Sequence, residues 1–406
     1  MHVLQYRAPR RRAIGWLAIV REIDVRMRPW LDRIVQDTGP LELFDAHTHI
    51  GANDPDGYKQ TPEELHDALG AAVARAVVFP MHEPDGYRAA NDAVLAAAAA
   101  QPDRLVAFCR VSPHDGALAE ARRALDAGAL GIKLHPRAER FGMHEPAVAE
   151  LVALAHERRV PVLIHAGRGI PALGENTVRL AERHPDATLI LAHAAISDLA
   201  WLWRVLPSHP NVLVDTAWWN PVDLVALFAL APPANIVWAS DSPYGRPIAS
   251  AVWALRCALQ AGCTPEQLRG IAGGTIARVL DGDAPEELGP PPGQPAAPLD
   301  LLLERVVTNL CGAFARLAAQ TDPVESLGLA RLGCAVGTDG PLAEVHAAVL
   351  EQLDRYETEL APPPPGLRFP LAMRYLVHAL CIARTPDVPL PALPDAPAPT
   401  RAEAEA

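Results

Sequence analysis

Leu43-Phe44-Asp45-Ala46-His47-Thr48-His49-Ile50-Gly51 is a short apolar run that ends in two histidines one residue apart and then breaks at a glycine. In an extended chain residues i and i+2 point to the same side, so Asp45, His47 and His49 are expected on one face and Phe44, Ala46 and Thr48 on the other. Two imidazoles set this way can grip one divalent cation. The run also opens a theme that the chain repeats: an apolar stretch, a polar turn, then a helical run rich in Ala, Leu, Glu and Arg. The apolar stretches are Leu41 to Ile50, Ala76 to Pro80, Leu105 to Val111, Gly131 to Leu134, Pro161 to His165, Thr188 to His193, Asn211 to Thr216 and Asn235 to Ser240.

Helical periodicity falls between them, over Pro62 to Ala74, Ala89 to Ala100, Ala117 to Ala127, Pro146 to Arg159, Val178 to His184, Ser197 to Leu206 and Pro221 to Leu230, and after the last over Ser250 to Ala261. Strict alternation predicts parallel strands joined by right-handed crossovers, and eight such units predict a (β/α)8 TIM barrel. An open doubly wound sheet would bring a Gly-rich phosphate loop after its first strand. None is present.

Composition agrees with a large α/β domain. The 406 residues are 50% hydrophobic with a formal net charge of −12, enough for one big domain plus an appendage, and the acidity argues against a nucleic-acid partner. Six cysteines are scattered without CxxC spacing, which reads as buried reduced thiols. The run Ala13 to Val20 is too short for a membrane span and is interrupted at Arg21-Glu22-Ile23-Asp24 where a cleavage site would lie. Residues 1–40 are therefore expected as a helical extension on a cytoplasmic protein.

A barrel places its chemistry at the C-terminal ends of its strands. The polar residues there are His47 and His49, Arg110, Lys133 and His135, His165, His193, Asp215 and Asp241. If strand ends cover about a tenth of the chain, the 15 histidines should place roughly one or two there by chance. Five fall there, so the group is not a random scatter.

Asp45-Ala46-His47-Thr48-His49, Gly131-Ile132-Lys133-Leu134-His135-Pro136, Leu163-Ile164-His165-Ala166-Gly167, Leu191-Ala192-His193 and Ala239-Ser240-Asp241-Ser242-Pro243 resemble, in order and spacing, the amidohydrolase superfamily, in its amidohydrolase-related branch of metal-dependent TIM-barrel hydrolases and decarboxylases. The resemblance spans about residues 41–282. It implies His47, His49, His165 and Asp241 as metal ligands, with Asp241 also carrying a proton and His193 either binding a second metal or polarising water or substrate. One divalent ion is implied, Zn²⁺ first, with Mn or Fe as alternatives, and a second metal bridged by a carboxylated Lys133 ranks below it. The donor chemistry agrees, since three imidazoles, a carboxylate and an open position suit a borderline ion that lowers the pKa of its bound water. An uncarboxylated Lys133 is expected to meet a substrate carboxylate or to lie below the metal layer, with His135 beside it. Arg110 is read either as a holder of a substrate anion or as a structural partner of Asp45 or Glu42. Trp218, beside Trp219, is read either as a pocket wall or as packing. Gly274 stands where the family's closing helix carries Asn.

Past the barrel region of residues 41–282, residues 283–299 form a Pro-rich linker, residues 300–384 a helical domain or cap, and residues 385–406 an expected disordered tail. The helices are predicted over Leu301 to Ala319, Val324 to Leu332, Leu342 to Leu360 and Leu367 to Ala383. A lid, a homodimer surface or a docking module would fit them. The leading expectation is a hydrolase in which a metal-bound hydroxide attacks an amide, lactone or ester carbonyl of a small molecule. A non-oxidative decarboxylase on the same ligands is the alternative, and a catalytically silent scaffold the third. No membrane partner is expected.

Overall fold

The computed structural model describes residues 16–114, 116–293, 299–363, 367 and 369–391, with side chains of the first helix described from residue 22 onward. Its parallel strands are β1 (Leu43–Ile50), β2 (Ala74–Pro80), β3 (Leu105–Ala107), β4 (Cys109–Arg110), β5 (Ile132–Leu134), β6 (Val162–Ile164), β7 (Leu189–Leu191), β8 (Val212–Asp215) and β9 (Ile236–Val237). They pair in chain order, β1 to β3 in one ladder and β4 to β9 in another. β3 and β4 are the two halves of the single expected stave Leu105 to Val111. At Phe108 the backbone N–H donates to Val78 O across 2.9 Å, while Cys109 has already turned its own N–H to Gly131 O. The barrel closes where Ala46 N donates to Trp238 O, Asp241 N to His47 O and His49 N to Ser242 O, at 2.8–3.0 Å. The fold is thus the TIM barrel that the alternation predicts.

One detail of β1 departs from simple alternation. Its register against β2 shifts between Asp45 and Thr48, and a bulge of this kind turns the following side chains by one step. Phe44 and Ala46 lie in the barrel interior with Val77, Phe79, Phe108, Leu163 and Ile190, and past the bulge His47, with its ring 5.1 Å from Phe79, faces the same interior. The expectation that Phe44 and Ala46 lie opposite His47 and His49 is corrected here.

Helices Pro62–Ala72, Arg88–Ala100, Ala117–Asp126, Pro146–Arg158, Leu173–Arg183, Pro221–Leu230 and Pro247–Ala261 coat the strands. The first starts on a capping box, Thr61 Oγ1 accepting from Glu64 N and the Glu64 carboxylate from Thr61 N. The run expected as a helix over Ser197 to Leu206 yields only one α-turn, Leu199–Leu202. The barrel is shut by a π-turn, Gly270–Gly274. There Gly273 is required, because a Cβ would come within 2.3 Å of Glu42 O, whereas at Gly274 the nearest atom would be 3.3 Å away.

Outside the barrel the helices are Trp16–Thr38, Leu301–Ala318, Val324–Gly333, Ala343–Glu359 and Met373–Arg384. The last four enclose their own core of Leu303, Leu310, Phe314, Val349, Leu376 and Leu380. The final helix begins six residues later than the periodicity predicts, after a turn in which Met373 N donates to Pro370 O. The Pro-rich stretch is not a free tether over its described part: Gln267 Nε2 donates to Leu288 O and Pro290 O, and Gly293 N to Ala229 O. Part of the expected disordered tail is likewise tied down. Thr385 and Val388 are buried, and the Arg256 guanidinium donates to Thr385 Oγ1, Thr385 O, Val388 O and Pro389 O at 2.9–3.1 Å. Residues 392–406 lie outside the described residues. Among the described residues no helix is long and apolar enough to cross a membrane, and all six cysteines are free.

Candidate metal centre

At the C-terminal end of the barrel three atoms that could ligate a metal converge. His47 Nε2 lies 3.2 Å from His49 Nε2, and Asp241 Oδ1 lies 3.1 Å from the first and 3.0 Å from the second. The far side of each ring fixes which nitrogen is bare. His47 Nδ1 is 2.8 Å from Asp215 Oδ2, His49 Nδ1 is 3.4 Å from Pro80 O, and His193 Nδ1 is 2.8 Å from Ala217 O. A ring that donates there presents a lone pair from Nε2 to the centre. Asp215 also accepts from His193 N and Ala217 N, so one buried carboxylate positions two histidines.

Such a set fits a divalent cation. Ligands about 2.0–2.1 Å from a tetrahedral ion stand about 3.3 Å apart, close to the separations seen here. The field at the centre favours positive charge. Burial and Lys133 oppose a proton on His47, yet the Asp241 and Asp215 carboxylates outweigh them and raise it. Burial pulls His49 down to about 3. At Asp241 burial works upward, but His47 and His49 hold the carboxyl well below the usual carboxylate range. Its side chain is 20% exposed against 1% for His47, so it is the member that meets solvent. His193, Ala194, Ala195 and Asp241 all take positive φ, and non-glycine residues in that region carry strain that functional sites often retain.

The family model described as amidohydrolase matches residues 23–282. The chain belongs to this family. Amidohydrolases of this group are metal-dependent enzymes with small-molecule substrates. Similar solved structures include 5-carboxyvanillate decarboxylase from Sphingomonas paucimobilis, at 17% identity and TM-score 0.48, over 60% of this chain and 99% of that one. Another is 2,6-dihydroxybenzoate decarboxylase from Rhizobium, at 14% identity and TM-score 0.49, over 60% and 99%. A third is a probable 2-pyrone-4,6-dicarboxylic acid hydrolase from Acinetobacter baumannii, at 14% and 0.45, over 59% and 100%. No curated protein matches the sequence.

Of the residues that the sequence singles out, the amidohydrolase barrel gathers His47, His49 and Asp241 most tightly. His165 stands one step away, its Nδ1 2.9 Å from His193 Nε2 and its ring stacked on His135 at 3.8 Å. Its Nε2 is buried without a partner. Gly167 leaves room for this ring, since a Cβ there would come within 2.7 Å of Nε2. His135 is engaged on its other side, Nδ1 accepting from Ala138 N. Lys133 Nζ lies 3.3 Å from His47 Nε2 and 4.7 Å from the Phe79 ring centre, and burial lowers it to about 7. It therefore stands level with the candidate ligand atoms rather than below them.

Arg110 and Trp218 have other partners. Arg110, buried, donates to Glu139 Oε1 at 2.7 Å, and Tyr87 Oη donates to the same oxygen, so its ion pair is with neither Asp45 nor Glu42. Tyr87 and Glu139 border a cavity of about 760 Å³ between the loops after β2 and β4, lined also by His82, Arg88, Ser112 and Glu120 among others. Trp218 Nε1 donates to Asp223 at 2.6 Å, and its ring leads through Trp219 to Phe314 of the C-terminal helices. Asp45, which the sequence reading sets beside the two histidines without a role at the site, ties the first strand to the segment after the last by accepting from His47 N and Ser240 N. Asp215 was visible as a strand-end carboxylate without a role. Tyr244, edge-on to His49 at 5.6 Å, carries no signal beyond lying three residues after Asp241.

Proposed function

We propose that the chain is a metal-dependent hydrolase that cleaves a C–N or C–O bond at a carbonyl of a small molecule, an amide, lactone or ester, with Asp241 as proton carrier. The observation that carries the reading is the mutual approach of His47 Nε2, His49 Nε2 and Asp241 Oδ1 to within 3.0–3.2 Å at the open end of the barrel. His47, His49 and Asp241 would hold one divalent ion, Zn²⁺ first, with His165 as the fourth protein ligand. When bound, that ion supplies Lewis acidity and makes a coordinated water nucleophilic at neutral pH.

The chain's own residues do the rest. Asp215 holds the His47 ring and the His193 backbone in place, and the Ala217 carbonyl fixes the His193 ring. Asp241, ionised and partly exposed, accepts a proton at its carboxylate and returns it to the leaving group. His193, with a bare Nε2 turned inward, accepts a hydrogen bond from a water or substrate hydroxyl and orients it. Lys133, lowered to about 7, loses its charge as pH rises above neutral, so that an amine can lie beside the ligands of a single ion.

Metal analysis of the purified protein with chelation and reconstitution is the test, followed by turnover of an amide, lactone and ester panel in ¹⁸O water. Close to one equivalent of metal and one ¹⁸O in the product are expected. Less than about half an equivalent with no effect of chelator overturns the enzymatic reading. Release of carbon dioxide without ¹⁸O replaces hydrolysis by decarboxylation on the same ligands.

A further inference from the structure

The helix Met373–Arg384 lies beyond the stretch that the amidohydrolase model matches, yet it brings a guanidinium toward the site end of the barrel. Aromatic rings lead there from the metal corner. Tyr244 stands edge-on to His49 and packs against Tyr58, with centroids 4.7 Å apart, while its hydroxyl donates to Asp54. The electrostatic neighbours of Arg374 are Arg246, Tyr58, Asp24 and Tyr375. Arg246 is itself a mouth residue, five positions after Asp241, and the helix is anchored on the barrel coat by a 3.1 Å hydrogen bond from Trp253 Nε1 to His378 Nδ1.

The charges in this corner do not balance. Asp24 is taken by Arg246, whose Nε donates to Oδ1 at 3.1 Å while Nη2 donates to Oδ2. Tyr375 gives its hydroxyl to Glu359 at 2.7 Å, and that carboxylate also faces Arg26 at 3.5 Å. Among the described residues no carboxylate forms an ion pair with Arg374, and Nη1 is shut off from solvent without a hydrogen-bond partner. Burial and the neighbouring Arg246 pull Arg374 down to about 10, so it remains charged at neutral pH. An unpaired cation in such a place lowers stability, and a guanidinium fork is shaped for a carboxylate or a phosphate.

We propose that Arg374 is a specificity-determining residue that binds an anionic group of the substrate, so that the appended helices supply recognition for a barrel that supplies the chemistry. The inference rests on the His47–His49–Asp241 corner being the catalytic site. It selects substrates that carry a carboxylate or phosphate away from the bond that is cut, and it gives the C-terminal helices a part in choosing them.

Calorimetric titration of the full-length protein, metal-free and zinc-loaded, with malonate and with inorganic phosphate is the test, on the wild type, Arg374→Gln and Arg374→Lys. At least one anion is expected to bind both forms of the wild type, with affinity lowered about tenfold or more in Arg374→Gln and partly kept in Arg374→Lys. The thermal midpoint of Arg374→Gln should equal or exceed that of the wild type, because a partly buried cation with no carboxylate partner has gone. Preference for phosphate marks a phosphorylated substrate, and preference for malonate a carboxylate. Absence of anion binding to the metal-free wild type, or affinity unchanged in Arg374→Gln, overturns the proposal. Should Arg374→Gln not fold, unchanged affinity in Arg374→Lys does so. Failure of zinc binding with Arg374-dependent anion binding intact sinks the catalytic reading alone.

Discussion

Arg256 and the histidines of the barrel mouth are both polar groups deep in the protein, and they are completed in opposite ways. The Arg256 guanidinium spreads its donors over neutral acceptors of residues 385–389, and no carboxylate is involved. At the mouth, acceptors face acceptors: two bare imidazole nitrogens and a carboxylate oxygen lie about 3 Å apart, and His165 Nε2 and Asp45 Oδ2 have no partner. A network whose donors and acceptors match holds parts of a chain together. One whose acceptors converge is built for something brought from outside, because buried polar atoms left unmatched cost stability.

That contrast can be broken by three substitutions. The largest effect is expected at the mouth. Asp241→Asn keeps the shape of the side chain and removes the charge, and turnover should fall on the order of a thousandfold in steady-state assays while some metal remains bound. Substantial remaining turnover would remove Asp241 as proton carrier. Arg256→Met should instead leave metal content unchanged and lower stability by about 3 kcal/mol in urea denaturation, since it strands the carbonyls of Thr385, Val388 and Pro389. A loss of metal in that variant would mean that the two networks are coupled.

The smallest effect concerns His378, which accepts from Trp253 at 3.1 Å and touches Trp30 edge-on. Burial, with Arg256 nearby, depresses it to about 3. It is neutral in the folded protein down to that pH, whereas the unfolded chain takes up a proton at about 6.5. Stability contributed here is present above pH 6.5 and is lost as pH falls toward 3, by at most about 1.4 kcal/mol per pH unit. His378→Asn, whose amide can replace the Nδ1 acceptor, should flatten the pH dependence of the denaturation midpoint between pH 6 and 4. An unchanged slope would show that His378 is not a source of it.

Most of the barrel was legible because each strand is an apolar run and each helix has its own period, and these local signals agree with the global fold. The ligand candidates were legible for the same reason, since the fold sends strand ends to one face. What escaped depends on events of one residue or on distant pairing. The bulge in β1 turns His47 to the inward side that Phe44 and Ala46 face, and nothing in Leu43 to Ile50 announces it. Arg110 pairs with Glu139, which sits on the four-residue helix Pro136–Glu139, too short to show periodicity. The burial of Thr385 and Val388 in a stretch of tail-like composition depends on an arginine 129 residues earlier.

That separation bears on the order of events during synthesis. The helix Pro247–Ala261 leaves the ribosome before the acceptors of Arg256 exist, since Thr385 is added 129 residues later. Closing so long a loop costs entropy that only the final contacts repay. The coat of the barrel is therefore completed around Arg256 only after the four C-terminal helices have been made, by residues that belong to neither the barrel nor those helices.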